Sequence, residues 1–190
     1  MARVGMRADA QRNYERMLSA AADTFAEEGP DASLNEIARR AKVGPGTLYR
    51  HFPNRQALLA AVLRERIEAL GARAEELMST TDPDNALREW LRAFLTHART
   101  DHGLGGAALT ESVDLGFDCH ATIHEAAHAV VSHAQRAGSV RADVHARDVV
   151  QLIVGIALTT SRSSDSAPPE RLLGLVLDAL YERRRGSMSS

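Results

Sequence analysis

The chain is short of several things, and each shortage excludes a class of protein. Among 190 residues there is one cysteine, Cys119, so neither an internal disulfide framework nor a multi-cysteine zinc site is available. No stretch approaches the roughly 18 to 20 apolar residues that a membrane-crossing helix needs, and the N-terminus has no apolar secretory segment. A cytoplasmic protein without a membrane partner is the expectation. Aromatic residues make up 4% of the chain and prolines number six, which disfavours an all-β fold. Lysine is almost missing: Lys42 stands alone among 23 basic residues. Neither sign of charge dominates, the net charge being −2.

Alanine, leucine and arginine carry the composition, and all three favour helix. A hydrophobic fraction of 44% excludes disorder along the whole length. The charges are unevenly spread. Residues 1–55 hold nine basic against seven acidic groups, while the other 14 basic residues face 18 acidic ones. A mildly basic head on an acidic body permits binding to nucleic acid without demonstrating it.

Helical periodicity runs through the sequence. Tyr14, Met17, Leu18, Ala21 and Phe25 form one stripe of a helix ending near Gly29 and Pro30. Ser33-Leu34-Asn35-Glu36 reads as a capping box opening a short helix, with Ser33 on the Glu36 amide and the Glu36 carboxylate reaching back. Lys42-Val43-Gly44 makes a tight turn, and Pro45 suits the first position of a second short helix through about Phe52. A long helix is expected from about Asn54 to Met78, and another after the connector Thr80-Thr81-Asp82-Pro83. A loop at Asp101–Gly106 precedes a helix at 107–115, and Asp118 caps a helix that Gly138 ends. Asp143 caps the next helix, a polar loop covers Ser161–Pro169, and the last helix runs from Pro169 to about Arg185. The fold class is therefore all-α with about nine helices.

Two short helices joined by a tight turn at residues 33–52, following a longer helix, have the form of a helix-turn-helix. The second is short enough to lie in a DNA major groove about 12 Å wide, with its N-terminal end toward the base edges. A pair of structural helices in a bundle has the same pattern. The segment Gly46-Thr47-Leu48-Tyr49-Arg50-His51-Phe52, followed by Asn54-Arg55-Gln56-Ala57-Leu58-Leu59, is more specific. It resembles the TetR family of bacterial one-component repressors over residues 12–60, where Ala22, Phe25, Gly29, Ile37, Ala38, Ala41, Val43, Thr47, Leu48, Tyr49, His51, Phe52 and Leu58 fit the family pattern.

The resemblance implies a three-helix DNA-binding domain at 1–53, with 1–8 as a flexible arm, a helical ligand-binding and dimerisation domain at 54–185, and a disordered tail at 186–190. It also implies that Thr47, Tyr49 and His51 meet the DNA backbone and that Ser33 and Arg55 meet phosphate. Asn35, Pro45, Gly46, Thr47 and Arg50 are the candidate base readers; Arg50 suits guanine, Asn35 adenine and Pro45 a thymine methyl. Leu48 and Phe52 belong to the core. Gly44 stands where the family often has serine or threonine, so one hydroxyl contact is missing. Arg3, Arg7 and Arg12 read first as a solvated tail, with a basic arm over DNA as the alternative.

One helix-turn-helix reads only half a palindromic site, so the resemblance implies a homodimer. The helices at 143–161 and 169–185 are too apolar for one subunit to bury, and pairing with their twins would cover them. A ligand pocket is implied in the body, with candidate lining from Trp90, Phe94, His97, Leu109, Val113, Phe117, His120, His124, Ala127 and Val131. The function expected is that of a DNA-binding transcriptional regulator, a dimeric repressor of a palindromic operator released by a small-molecule effector, with no cofactor and no catalytic residues.

A second pattern competes. His124-Glu125-Ala126-Ala127-His128 matches H-E-x-x-H, in which two histidines share a zinc and the glutamate acts as base. Chance supplies about 0.02 such matches in a chain of this composition. The extended zinc-peptidase form fails, because Val131 and Ala134 occupy its glycine and third-histidine positions. What survives is a metal-binding protein or metal-sensing regulator using the His120, His124 and His128 row. The default is histidines that line a polar pocket or face solvent, and such a row titrates near neutral pH.

Overall fold

The computed structural model describes residues 2–103, 118–160 and 168–181, with side chains from residue 9 to 100 in the first segment. Eight helices are present among them: α1 (Ala2–Glu28), α2 (Leu34–Arg40), α3 (Pro45–His51), α4 (Arg55–Thr80), α5 (Pro83–Gly103), α6 (Cys119–Arg136), α7 (Ala146–Thr160) and α8 (Pro169–Leu180). The helix expected at 107–115 lies outside the described residues, as do most of the loop beyond Ser161 and the tail at 186–190. Residues 101–103 continue α5 where a loop is expected. Helix α1 begins at Ala2 and so takes in residues 2–8, the stretch expected as a flexible arm. No proline interrupts that stretch, and Ala2, Arg3, Met6 and Arg7 all favour helix. No described helix is long and apolar enough to cross a membrane.

The chain divides into two compact units, one of residues up to Arg66 with the described residues of Thr100–Asp118, and one of Ile67–Arg99 with the described residues from Cys119 onward. In the first unit, the α1 stripe of Met17, Leu18, Ala21 and Phe25 packs with Ile37, Ala38 and Ala41 around α2 and with Leu48 and Phe52 around α3. Leu58, Leu59, Val62 and Leu63 from the start of α4 complete this core. Tyr14 closes one side, its ring 5.5 Å from that of Phe52.

In the second unit the apolar load is larger. Trp90 is fully buried, stacks on Phe94 at 5.4 Å, and donates its indole N–H to the Leu70 carbonyl at 3.1 Å. Around this pair gather Leu77, Leu87, Leu91, Val130, Val131, Ile153, Leu173 and Leu177. Asp82 caps α5, accepting from the Asn85 amide at 3.1 Å, which lowers the pKa of its carboxyl.

Three local expectations change. The capping box of α2 is half-formed: Ser33 Oγ accepts from the Glu36 amide at 3.5 Å, but Arg39 and Arg40 take the Glu36 carboxylate. Charge-assisted bonds to guanidinium outcompete the reach back to a backbone amide. Asp143 does not cap α7, because Arg141 holds both its carboxylate oxygens, at 3.0 and 2.5 Å. The hydrogen-bond ladder of α7 starts instead from the His145 carbonyl. The last helix stops at Leu180 rather than near Arg185. There Tyr181 turns extended and bridges to Val140, its hydroxyl donating to the Asp84 carbonyl at 3.3 Å with the Arg88 guanidinium 5.8 Å from its ring centre.

Candidate nucleic-acid interface

The geometry of the first unit's surface is set by a turn of unusual chemistry. Helix α2 ends in a Schellman motif: the Lys42 amide donates to Arg39 at 3.1 Å and the Val43 amide to Ala38 at 3.0 Å. The residue in the left-handed conformation is Lys42, at φ +56°, where glycine is the usual occupant. Gly44, the glycine of the turn, sits instead in extended backbone (φ −70°, ψ 147°) as the N-cap of α3 and gives it no side-chain cap. Pro45 follows at the first helical position, as the sequence suggests.

Helix α3 therefore leaves the turn with one face inward and one outward. Leu48, and Phe52 just beyond its end, are buried. Pro45, Gly46, Tyr49, Arg50 and His51 are exposed, and Thr47 is half-buried. Tyr49 keeps 47% of its surface in water, an unusual exposure for an aromatic ring outside any core. Arg50 Nε donates to the Gly46 carbonyl at 3.1 Å, which lays the side chain along its own helix. The His51 ring stands 6.0 Å from that of Tyr14. On α2, Ser33 and Asn35 are exposed at the N-terminal end. Arg55 opens α4 half-buried, and its Nη1 donates to Asp31 Oδ1 at 3.0 Å. Every candidate DNA contact thus belongs to one unit and lies at the start of α2, along α3 or at the first residue of α4.

Charge pairing fastens this surface to α1. Arg40 reaches Glu27 at 2.7 Å, Glu28 at 3.4 Å and Glu36 at 2.9 Å. Hydrogen bonds from Arg39 and then Arg40 pull the Glu36 carboxyl down to about 2, so it is ionised at any physiological pH. Sequence reasoning did not single out this network. The spacing of Glu36 to Arg39 and Arg40 was its local signal, but nothing local marks Glu27 or Asp31 as partners.

The body's candidate residues are scattered in environment. Trp90, Phe94, Ala127 and Val131 are closed into the core. His97 and His124 are half-buried, while His120 and His128 are exposed. Leu109, Val113 and Phe117 lie outside the described residues. Among the described residues, no three His, Cys, Asp or Glu side chains gather closely enough to hold a metal ion. On α7 and α8, Leu152, Leu158 and Leu175 are large apolar side chains in solvent, with Leu175 exposed by 57%.

Comparison with known proteins finds family matches in both halves of the chain. Residues 17–62 match the family described as bacterial regulatory proteins of the tetR family, and residues 82–182 match a transcriptional regulator SbtR-like C-terminal domain. Among solved structures, the TetR transcriptional regulator SCO0520 of Streptomyces coelicolor is 40% identical, with 88% of this chain and 97% of that one covered and a TM-score of 0.78. A TetR transcription regulatory protein of Mycobacterium vanbaalenii is 37% identical over 93% of this chain and 99% of its own, with a TM-score of 0.76. The HTH-type transcriptional regulator UidR of Escherichia coli is 38% identical over 72 residues, and the HTH-type transcriptional repressor Rv3405c of Mycobacterium tuberculosis is 38% identical over 84. Those two matches span only 37% and 41% of the relatives' lengths.

Proposed function

Because the chain belongs to the TetR family of bacterial transcriptional regulators, we propose that it is a dimeric repressor that binds a palindromic operator and is released by a small-molecule effector. The observation that carries the DNA-binding half is the outward face of α3, where Tyr49, Arg50 and His51 stand in solvent while Leu48 and Phe52 hold the helix to its core. The domain limits expected from the sequence serve as the working division, 1–53 for DNA and 54–185 for ligand and dimer, with Arg55 adding a DNA contact from just beyond the first. Ser33, Thr47, Tyr49, His51 and Arg55 take the sugar-phosphate backbone, while Asn35, Pro45, Gly46 and Arg50 face base edges. With Gly44 and Gly46 lacking side chains, the reading surface is sparse and DNA shape contributes to recognition.

The dimer forms through α7 and α8. Leu152 and Ile156 on one helix, and Leu172, Leu175 and Val176 on the other, are exposed or half-buried at helical spacing. A second copy would bury both stripes in a four-helix arrangement. The effector enters the body beside Trp90, Phe94 and His97 on α5 and His124 on α6, and favours the population that does not bind the operator. To switch the protein decisively it must discriminate between the two forms by a few kcal/mol.

The test is binding of the full-length protein to DNA flanking its own coding sequence, titrated with salt. Palindrome-specific, salt-dependent binding is expected. Arg50→Ala should relax preference at one base pair and Tyr49→Phe should weaken binding to all sequences alike. Unchanged base preference in Arg50→Ala removes Arg50 from the readers, and absence of binding at the lowest salt removes the proposal.

A further inference from the structure

Several basic side chains around the proposed DNA surface are already engaged within the chain. Arg39 and Arg40 lie on Glu36, Arg40 also reaches Glu27 and Glu28, and Arg50 turns back to the Gly46 carbonyl. The Arg55 pair differs from these. Its carboxylate partner, Asp31, comes from the α1–α2 loop 24 residues earlier, and its side chain is 95% exposed against 40% for Arg55. A single contact, Nη1 to Oδ1 at 3.0 Å, joins them. The Arg55 Nε is buried without a hydrogen-bond partner, so the guanidinium is only partly satisfied by this contact. An exposed single-contact pair of this kind is weak and exchanges readily.

We infer that Asp31 is an internal competitor for DNA phosphate: it occupies Arg55 in the free protein and has to be displaced when the guanidinium moves onto the backbone. The inference rests on Arg55 as a phosphate contact, as proposed above. Two physical effects act together. Arg55 must give up a carboxylate before it takes a phosphate, and the vacated carboxylate of Asp31, two residues before Ser33, then stands beside a polyanion. Both oppose binding to any sequence, so Asp31 holds down binding to all DNA alike and leaves the choice among sequences to the base readers.

The consequence is a salt dependence shallower than the count of phosphate contacts suggests. Each phosphate neutralised by a free cation contributes about 0.9 to the slope of log affinity against log salt. A cation that begins on a carboxylate contributes less, because salt weakens the internal pair as well. Asp31→Asn should therefore steepen the slope by up to about 0.9, and its advantage over the wild type should grow up to about 3.5-fold from 200 to 50 mM salt.

The experiment measures affinity of the full-length protein for a random-sequence duplex and for the flanking DNA across that salt range. It uses wild type, Asp31→Asn, Arg55→Gln and the double variant, with Asp31→Ser as a second neutral replacement. Thermal melting confirms that each is folded. Tighter binding of Asp31→Asn to both duplexes at low salt, with a steeper slope and with most of the gain lost in the Arg55→Gln background, is expected. Equal or weaker binding overturns the inference and makes Asp31 a residue that positions Arg55. A gain that persists undiminished without Arg55 also overturns it, leaving Asp31 to act through its charge alone. If Arg55→Gln binds like the wild type, the phosphate assignment of Arg55 fails while DNA binding stands. If the wild type binds neither duplex, the proposed function itself fails.

Discussion

In the N-terminal unit α2 is tied to α1 by charge, Arg40 spanning Glu27, Glu28 and Glu36 above a core in which Ala38 and Ala41 admit close approach. In the body the helices are held by bulk, with Trp90, Phe94, Leu87, Leu91 and Ile153 buried together. A seven-residue helix such as α2 or α3 buries one or two side chains and cannot support itself. Caps, turns and ion pairs supply what burial does not. The same contrast appears on the outside. The short helices present Tyr49, Arg50 and His51, polar groups suited to a polyanion, whereas α7 and α8 present Leu152 and Leu175, groups suited to another apolar face.

The sharpest way to break this contrast is to remove the body's bulk. Trp90→Ala deletes a fully buried ring, its stack on Phe94 and its bond to the Leu70 carbonyl. A loss of about 3–5 kcal/mol is expected, read from denaturant unfolding by circular dichroism. Amide exchange in α5 and α6 should accelerate first. A loss below 1 kcal/mol would mean that the body does not depend on its bulk.

A finer comparison uses one motif that both units contain. Helix α6 ends in a Schellman motif like that of α2, the Gly138 amide on Gln135 and the Ser139 amide on Ala134, with Gly138 at φ +75°. The body uses glycine at the left-handed position and the N-terminal unit uses Lys42. Gly138→Ala should cost about 1–2 kcal/mol from left-handed strain, although open space surrounds its Cβ position. Lys42→Gly should run the other way and stabilise by about 0.5–1 kcal/mol, since relief of strain exceeds the added freedom of the unfolded chain. Thermal melts of the two variants check both signs. Lys42 makes no ion pair among the described residues, so its removal should also weaken DNA binding in a salt-dependent way. Lys42→Gly that is more stable and binds as tightly would show that the lysine serves neither purpose.

These elements also mark how far the sequence could be read. The stripe on α1, the cap at Ser33 and Pro45 at the start of α3 are local, and local pattern exposed them. Polar partner choices, near or far along the chain, were not legible. Nothing in the residues around Asp31 points to Arg55, and nothing around Arg141 says that it will take Asp143 from the start of α7. Lys42-Val43-Gly44 reads as a tight turn, but nothing in those residues says that Lys42 rather than Gly44 adopts the left-handed conformation, which it does because the Schellman bonds fall there. In the body, Trp90, Phe94, Ala127 and Val131 have the pattern of core and of pocket alike, since both need apolar residues at helical spacing. The turn after Leu180 depends on Val140, a partner 41 positions from Tyr181 that no periodicity reports.

The smallest effect expected concerns Gly44, the point at which the polar strategy of the N-terminal unit is left incomplete. Ser33 caps α2 and Asp82 caps α5, but α3 has no side-chain cap. Gly44 has a negative φ, and a Cβ built there meets nothing within 4 Å, so serine fits without strain. Its hydroxyl can accept from the third amide of α3, that of Thr47, and can also turn outward to a phosphate. Gly44→Ser should raise stability by a few tenths of a kcal/mol. It should also tighten binding to all DNA sequences, because a hydroxyl at this position carries no base information. The two readouts separate the roles: a higher melting temperature with unchanged DNA affinity keeps the hydroxyl on the helix, while tighter binding at unchanged stability places it on the phosphate. If neither moves, α3 is already as well ordered by Leu48 and Phe52 as a cap could make it, and burial rather than polar fastening holds the reading helix.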